Sequence, residues 1–393
     1  MKHTKIYAEN LDPATLKQFT DAMSLDCVVS GALMADAHLG YSLPIGAVVA
    51  VKDHISPAFI GYDIGCGMCA MKLDIEASSI DKKYVFDEIY KRIPVGRNQH
   101  LTPQEYVEPF IVSDIVYEHL NNKGKYQLGT LGGGNHFIEL GEGNDGKLWI
   151  IIHSGSRNMG HSVAEYYMNL AAKQSINYDK IDQEFKDRNI SFAKHNPDGF
   201  IKAMLQNRTK IKVDPEGQYL FHVNSKEAKA YINDMQYCLE YALLNRKYMI
   251  REIVNILGNP DEMIFINKNH NHAELVDGLW IHRKGATQAS EGMLGVIPGN
   301  MRDGSFIVRG KGNPDSLNSS SHGAGRVLSR KQAQATLSMD IFSSEMCDVV
   351  AKVDLDTLDE SPMAYKNIFE VMELQKNLID VIDHIVPLIN IKG

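Results

Sequence analysis

The run Ala58-Phe59-Ile60-Gly61-Tyr62-Asp63-Ile64-Gly65-Cys66-Gly67-Met68 sets a carboxylate and a thiol three residues apart among glycines. Histidines follow in Gly134-Asn135-His136, Ile152-His153-Ser154-Gly155-Ser156-Arg157, Asn269-His270-Asn271-His272 and Ser321-His322-Gly323-Ala324-Gly325-Arg326. Each lies at the end of an apolar run or in a glycine-rich loop, where backbone and ligand can approach closely. Asp63, Cys66, His136, His153 and His270 are ligand types for a divalent metal, and a thiolate can bridge two ions. The donor types alone suit Zn²⁺, Fe²⁺ or Mn²⁺.

Other chemistry fits less well. His270-Asn271-His272-Ala273-Glu274 lacks the Asp-His that a metallo-β-lactamase signature requires. Gly304-Ser305-Phe306-Ile307-Val308-Arg309-Gly310-Lys311-Gly312 has too long a spacing for a P-loop and no hydroxyl after the lysine to reach Mg²⁺. Met301-Arg302-Asp303-Gly304 has a methionine where a nucleotidyltransferase of the Lys-x-Asp-Gly type carries its nucleophilic lysine. His322 is the alternative nucleophile. Gly323 and Gly325 let a phosphate approach, Arg326 and Arg330 can neutralise it, and an imidazole can attack an α-phosphate to give a phosphoramidate. Cys66-Gly67-Met68-Cys69 is formally C-x-x-C, but Met68–Leu73 reads as a strand rather than the helix a redox motif opens, which assigns Cys69 to packing.

The elements that must carry these groups can be sketched. Asp12-Pro13 starts a helix with Leu16, Phe19 and Met23 on one face. Phe137–Leu140, Trp149–Ile152, Met263–Ile266 and Ser305–Val308 read as strands, and about 330–350 as a helix. A long helix is expected over about 226–257, started by Asn224…Glu227 and stopped at Gly258-Asn259-Pro260. Residues 179–222 read as a polar surface insertion, so that 179–257 holds the insertion and the long helix. Strands and helices mix throughout. The expectation is an α/β (mixed α+β) fold, one compact domain over residues 1–393 with mixed sheets around a central metal-containing cleft.

With 393 residues and 44% hydrophobic content the chain can bury a large core. Its net charge of −8 means that any nucleic-acid contact must come from a local basic patch. Five unevenly placed cysteines argue for a reducing compartment. With no signal-like or spanning apolar run, a soluble, cytoplasmic protein without membrane contact is expected.

Taken together, the segments resemble the RtcB-type RNA-splicing ligases from about Asp36 to Lys366. The likeness rests on Asp36-Ala37-His38, Leu43-Pro44-Ile45-Gly46, Asp63-Ile64-Gly65-Cys66-Gly67, Gly132–Glu139, His153–Arg157, Arg283-Lys284-Gly285-Ala286, Ile297-Pro298-Gly299 and His322–Arg326. The resemblance implies a 3′-phosphate/5′-hydroxyl RNA ligase using GTP and two Mn²⁺ ions per chain. Cys66 would bridge the ions and Asp63, His136, His153 and His270 complete the set; His270 is preferred to His272 because the family ligand precedes Asn. His322 would carry GMP. The implied nucleotide set is Asn135, Phe137, Glu139, His270, Asn271, Pro298, Gly299, Asn300, Met301, Ser305, His322, Gly323, Ala324, Gly325 and, against the guanine, Lys366. Arg157, Arg326 and Arg330, each four to eight residues beyond a candidate histidine, are expected at RNA phosphates. Water would open a cyclic phosphate, His322 take GMP from GTP, the RNA 3′-phosphate accept it, and the 5′-hydroxyl displace it, in RNA repair or tRNA splicing; an activating protein is a further candidate partner. A metal-dependent phosphodiesterase would not need the His322 loop, and a non-catalytic RNA-binding paralogue would not need a full ligand set. Asn300, Arg302 and His272 depart from the family pattern, which bears on the choice of RNA.

Overall fold

The computed structural model describes residues 2–393. Two sheets dominate. In the larger, neighbouring strands run in the order Leu294–Pro298, Ser305–Gly310, Ile379–Lys392, Phe137–Glu142, Lys147–Ser154, Gly67–Glu76 and Glu262–Asn269, with Val350–Ala351 pairing Ile379–Lys392 off this path. The sheet curls until Leu294–Pro298 lies back against Glu262–Asn269. Its concave face is filled by Met68, Ala70, Trp149, Ile151, Ile266, Val296 and Ile307, as right-handed twist in a long antiparallel sheet favours. The second sheet orders His3–Ile6, Val28–His38, Ile45–Lys52, Leu279–Lys284 and Asn271–Val276.

A long helix packs on the large sheet, whereas the first helix, Pro13–Ser24, packs on Val28–His38 of the second. Asp12 caps this first helix by accepting from the Ala14 N–H, with Pro13 at its start. The long helix spans Lys226–Ile256 and ends before Gly258, whose φ of +85° is open to glycine. Its cap is Ser225, whose hydroxyl accepts from the Ala228 N–H, and not Asn224; the serine is the residue placed to reach the third helical N–H. Residues 178–209 form three helices, Tyr178–Arg188, Ile190–His195 and Pro197–Thr209, held by a small aromatic cluster of Phe185, Phe192 and Phe200. The expected helix at 330–350 is two short ones, Arg330–Thr336, which Ser329 caps, and Met339–Glu345: Leu337 turns to extended backbone, and Ser338 precedes the second without a side-chain cap. Among the described residues no helix is long and apolar enough to cross a membrane.

Strand register decides the site. Phe137–Glu142, Lys147–Ser154, Gly67–Glu76 and Glu262–Asn269 are consecutive neighbours, all antiparallel. Phe137 pairs with His153, and Gly67 pairs with both Ser154 and Asn269. Alternating direction therefore brings the start of one strand and the end of the next to the same edge. His136, His153, Cys66 and His270 all fall on that edge.

Candidate functional site

At this edge the side chains converge. Cys66 Sγ is 3.1 Å from His153 Nε2 and 3.5 Å from His136 Nε2. His136 Nε2 is 3.1 Å from Asp63 Oδ2, and the Nε2 atoms of His153 and His270 are 3.3 Å apart. Two sets of three potential ligand atoms result, Asp63/Cys66/His136 and Cys66/His153/His270, and they share only Cys66. The Nδ1–H of His136 donates to the Leu131 carbonyl and that of His153 to the Asn135 carbonyl, which leaves both Nε2 lone pairs facing the sulfur. Burial, and after it the neighbouring imidazoles, hold His153 and His270 far below the ordinary histidine range, so both rings are neutral. Burial and the Asp63 carboxylate push the Cys66 thiol well up. A thiolate here needs a cation to draw off the proton. Thiol, imidazole and carboxylate donors in this arrangement fit a pair of divalent transition ions.

The strand ends are pinned from behind by Arg246, a fully buried residue of the long helix. Its guanidinium donates to the carbonyls of Gly65 (3.0 Å) and Ser154 (2.6 Å) and to the Asn267 and Asn269 side chains (2.9 and 2.8 Å). It thus joins the segments that carry Cys66, His153 and His270. Asn245 beside it ties Thr130 to Ser154 and Gly155. Sequence reading passed over both, although extending the apolar stripe from Ala242 by one turn lands on them. Cys69 is buried on the other side of the strand, its thiol 3.1 Å from Asn267 Oδ1. Asn271 is structural too: its amide donates to the Asp63 carbonyl and accepts from the Gly285 N–H.

His322 stands at the end of this row, its ring 4.7 Å from that of His270. The strand Ser319–Ser321 delivers it, paired with Ala286–Gln288. Asp36, buried at the end of Val28–His38, accepts three hydrogen bonds at Oδ2: from His322 Nδ1 (2.7 Å), His322 N (3.2 Å) and Gly323 N (3.3 Å). Burial works against the Asp36 carboxylate, but the His322 and His38 imidazoles and the Ser321 hydroxyl hold it below the usual range. The carboxylate fixes the His322 tautomer and leaves Nε2 as the free nitrogen. Asp36 had no assigned role in the sequence reading, although Asp36-Ala37-His38 was among its motifs.

His322 opens into a cavity lined by His38, Ile45, Asn135, Phe137, Glu139, His153, Pro298–Met301, Gly323–Arg326, Tyr365, Asn390 and Lys392. Glu139 is almost fully buried; burial pushes its carboxyl up to about 7, against the pull of Ser305, Lys392 and Asn390. Asn390 is the cross-strand partner of Glu139 and donates from Nδ2 to Glu139 Oε2 (3.4 Å), while Glu139 Oε1 and Asn390 Oδ1 have no hydrogen-bond partner.

Four of the residues expected at the nucleotide, His270, Asn271, Ser305 and Lys366, do not line this cavity. His270 lies behind His322 in the ligand row, and Asn271 braces the Asp63 loop. Ser305 is buried behind Glu139. Lys366 donates its ammonium to the Ala37 carbonyl (2.9 Å) and is not among the residues that line the cavity. The lysine that lines the cavity is Lys392, brought there because its strand pairs Lys392 with Phe137. Its ammonium lies 5.0 Å from the Phe137 ring centroid and 2.9 Å from Glu360. Arg326 and Arg330 are not free cations either. Both bind Glu360 (3.1 and 2.6 Å), and Arg330 also pairs with Asp359. Burial opposes ionisation of Glu360, but Lys392 and Arg330 bring its carboxyl down to about 2. Arg302 is exposed and paired with Asp303 and Glu345, and Asn300 bonds Asp303, so these departures build a local turn. Arg157 sits on the other side of the ligand row, with backbone φ +59° and ψ −148°, strained for a non-glycine residue. It donates to Thr130 Oγ1 (3.0 Å) and the Gly96 carbonyl (3.1 Å).

Comparison with known proteins agrees with this geometry. The family described as tRNA-splicing ligase RtcB matches residues 18–109 and 109–393. The RNA-splicing ligase RtcB of Escherichia coli (strain K12) is 30% identical over 92% of this chain and 90% of its own length. The tRNA-splicing ligase RtcB of Nanoarchaeum equitans is 26% identical over 95% and 90%. The RNA-splicing ligase RtcB homolog 2 of Entamoeba dispar is 26% identical over 96% and 83%. With Cys66 shared by two sets of potential metal ligands, His322 held by a buried carboxylate beside them and this likeness along almost the whole chain, the protein belongs to the RtcB family of RNA ligases.

Proposed function

We propose that this chain joins RNA ends bearing a 3′-phosphate or 2′,3′-cyclic phosphate to 5′-hydroxyl ends, using GTP and a guanylyl-His322 intermediate. The observation that carries the reading is the placement of His322: Nδ1 held by buried Asp36, Nε2 free, the cavity on one side and the ligand row on the other. Nε2 attacks the α-phosphorus of GTP, the bond to pyrophosphate breaks, and GMP stays on the imidazole. Asp36 balances the charge that develops on the ring. The RNA 3′-phosphate then takes GMP, and the 5′-hydroxyl displaces it.

Asp63/Cys66/His136 and Cys66/His153/His270 would hold two divalent ions, Mn²⁺ in our reading. Bound there, such ions neutralise phosphate charge beside the reacting atoms. The choice of guanine is supported by the cavity wall. Glu139 and Asn390 are cross-strand neighbours in the cavity lining, each keeping one side-chain oxygen without a partner, and the guanine edge offers two neighbouring N–H donors where adenine offers one amino group beside an acceptor. Because Lys392 lines the cavity and Lys366 does not, our reading takes Lys392 as the lysine that meets the nucleotide.

The test is incubation with α-labelled GTP and Mn²⁺ followed by denaturing electrophoresis. The wild-type chain should retain acid-labile, alkali-stable label and His322→Ala none. Absence of label in the wild type, or label persisting in His322→Ala, would overturn the reading.

A further inference from the structure

Two segments far from the ligand row in sequence leave large apolar groups uncovered. The first is a strap, residues 98–113, which forms neither helix nor strand and yet is fixed. The Tyr248 and Tyr237 hydroxyls donate to the carbonyls of Glu105 (2.9 Å) and Val107 (2.7 Å), and Asp234 accepts from the Ser113 N–H (2.8 Å). All three anchors stand on the long helix. Held there, the strap presents Leu101 (98% exposed), Phe110 (93%), Val107 and Ile111 to solvent. A contiguous set of exposed apolar groups marks an interaction surface. From Asn98 to Asn122 the sequence has no lysine or arginine but four carboxylates, Glu105, Glu108, Asp114 and Glu118. Each is exposed and without an ion pair among the described residues.

The second segment is the helical insertion. Its three helices pack chiefly on one another, and Ile190, Ile201 and Leu205 stay half-exposed. Here the charge is reversed. From Asn189 to Val213 the one carboxylate is Asp198, against Lys194, Lys202, Arg208, Lys210 and Lys212. Arg208 is taken by Asp182, whereas the four lysines are exposed and unpaired among the described residues.

The long helix sets the spacing of the two patches. The insertion rejoins the fold at Phe221–His222, just ahead of the helix start at Lys226. The strap is anchored at Asp234, Tyr237 and Tyr248 of the same helix. At 1.5 Å per residue, these anchors stand roughly 12–33 Å from the helix start. Both patches therefore belong to one helical layer. We propose that a second copy of this chain docks on that layer about a two-fold axis, the strap of each copy on the insertion of the other. An isologous interface repeats every contact in reverse, so one axis between the patches forms both contacts together. Four free carboxylates then meet four free lysines around a covered apolar centre, the usual anatomy of an interface. The occupant is the chain itself because it carries both complementary halves, whereas a foreign acidic or basic partner would match only one of them. Neither patch contains a residue of the metal-ligand sets or of the nucleotide cavity, so docking leaves the candidate site open.

The experiment is sedimentation velocity on the full chain over a range of concentrations. The wild type should sediment as a dimer that added salt weakens. Glu105→Lys/Glu108→Lys sets cations against cations and should raise the dissociation constant roughly a hundredfold. Lys202→Glu/Lys210→Glu sets carboxylates against carboxylates and should do the same. Mixed in equal amounts, the two variants should pair with each other, because opposite charges then meet at both contacts. That recovery also shows that both variants are folded. The proposal is overturned if the wild type stays monomeric up to about 100 µM, a concentration that detects even a weak dimer. It is overturned equally if either variant dimerises as the wild type does, or if the mixture stays monomeric. Growth beyond two chains would replace the closed pair with an open head-to-tail contact. A monomeric wild type whose lysine variant loses affinity for an RNA oligonucleotide would give the insertion to nucleic acid instead.

Discussion

Replacing Asp36 with asparagine isolates the electrostatic part of the His322 site. The side chain keeps its shape, and an amide oxygen at the Oδ2 position can still accept from His322 N and Gly323 N. What is lost is the buried charge opposite His322 Nδ1, 2.7 Å away. A hydrogen bond to a charged group contributes about 1.5–3 kcal/mol and a neutral one about 0.5–1.5 kcal/mol, so the difference is ~1–2 kcal/mol. That difference acts where the imidazole gains positive character, as it does when it takes GMP. At ~1.4 kcal/mol per tenfold, guanylylation should slow about five- to thirtyfold. The introduced amide nitrogen would fill the place of Asp36 Oδ1, which has no partner, so the amide finds no acceptor there and stability should fall by ~1–3 kcal/mol. Acid dependence gives a second readout. Asp36 is held below its unfolded value, so its contribution is present above the unfolded pKa and lost as pH falls through the folded one. The variant should lack that acid loss. The assay is single-turnover label incorporation from GTP with denaturant melts from about pH 3 to 7. Wild-type incorporation rates in Asp36→Asn would refute the view that this carboxylate positions and balances His322.

Cys66→Ala should drop bound Mn²⁺ from two ions per chain towards none, whereas His270→Ala should keep about one, because the sulfur alone belongs to both ligand sets; equal metal content by elemental analysis would contradict a bridge. Lys392→Ala should weaken GTP binding by about ten- to a hundredfold and Lys366→Ala by less than about threefold, since only the former lines the cavity; titration with labelled GTP decides, and the reverse order would restore Lys366 to the site. Glu139 is raised to about 7 from an unfolded value near 4.5, so the folded chain holds the extra proton and loses stability as pH rises through that window. Glu139→Gln should therefore flatten the curve between about pH 5 and 8, a difference on the order of 3 kcal/mol by denaturant melts, and an unchanged slope would show that the carboxyl titrates normally.

The sequence by itself determined the chemistry of the donors and the positions that present them. Asp63, Cys66, His136, His153 and His270 stand beside glycines or at the ends of apolar runs, and such local patterns survive without knowledge of the fold. It also determined the candidate nucleophile, because glycines around His322 bare the backbone, and the mixed α/β class, because helical and strand periods alternate. What only the tertiary structure decided is who meets whom. One-dimensional spacing does not encode sheet order, so nothing local says that Gly67 pairs with both Ser154 and Asn269, or that Lys392 pairs with Phe137 and lines the cavity where Lys366 does not. Nor does a polar residue inside a helix announce its surroundings: Arg246 reads as a solvent-facing side chain until three strand ends are seen packed against it. Charge is decided the same way. Arg326 and Arg330 are basic in the sequence but neutralised by Glu360 in the fold, while Arg97 and Lys123, unremarked in the sequence, line a cleft beside Asp63 with no carboxylate paired to them among the described residues.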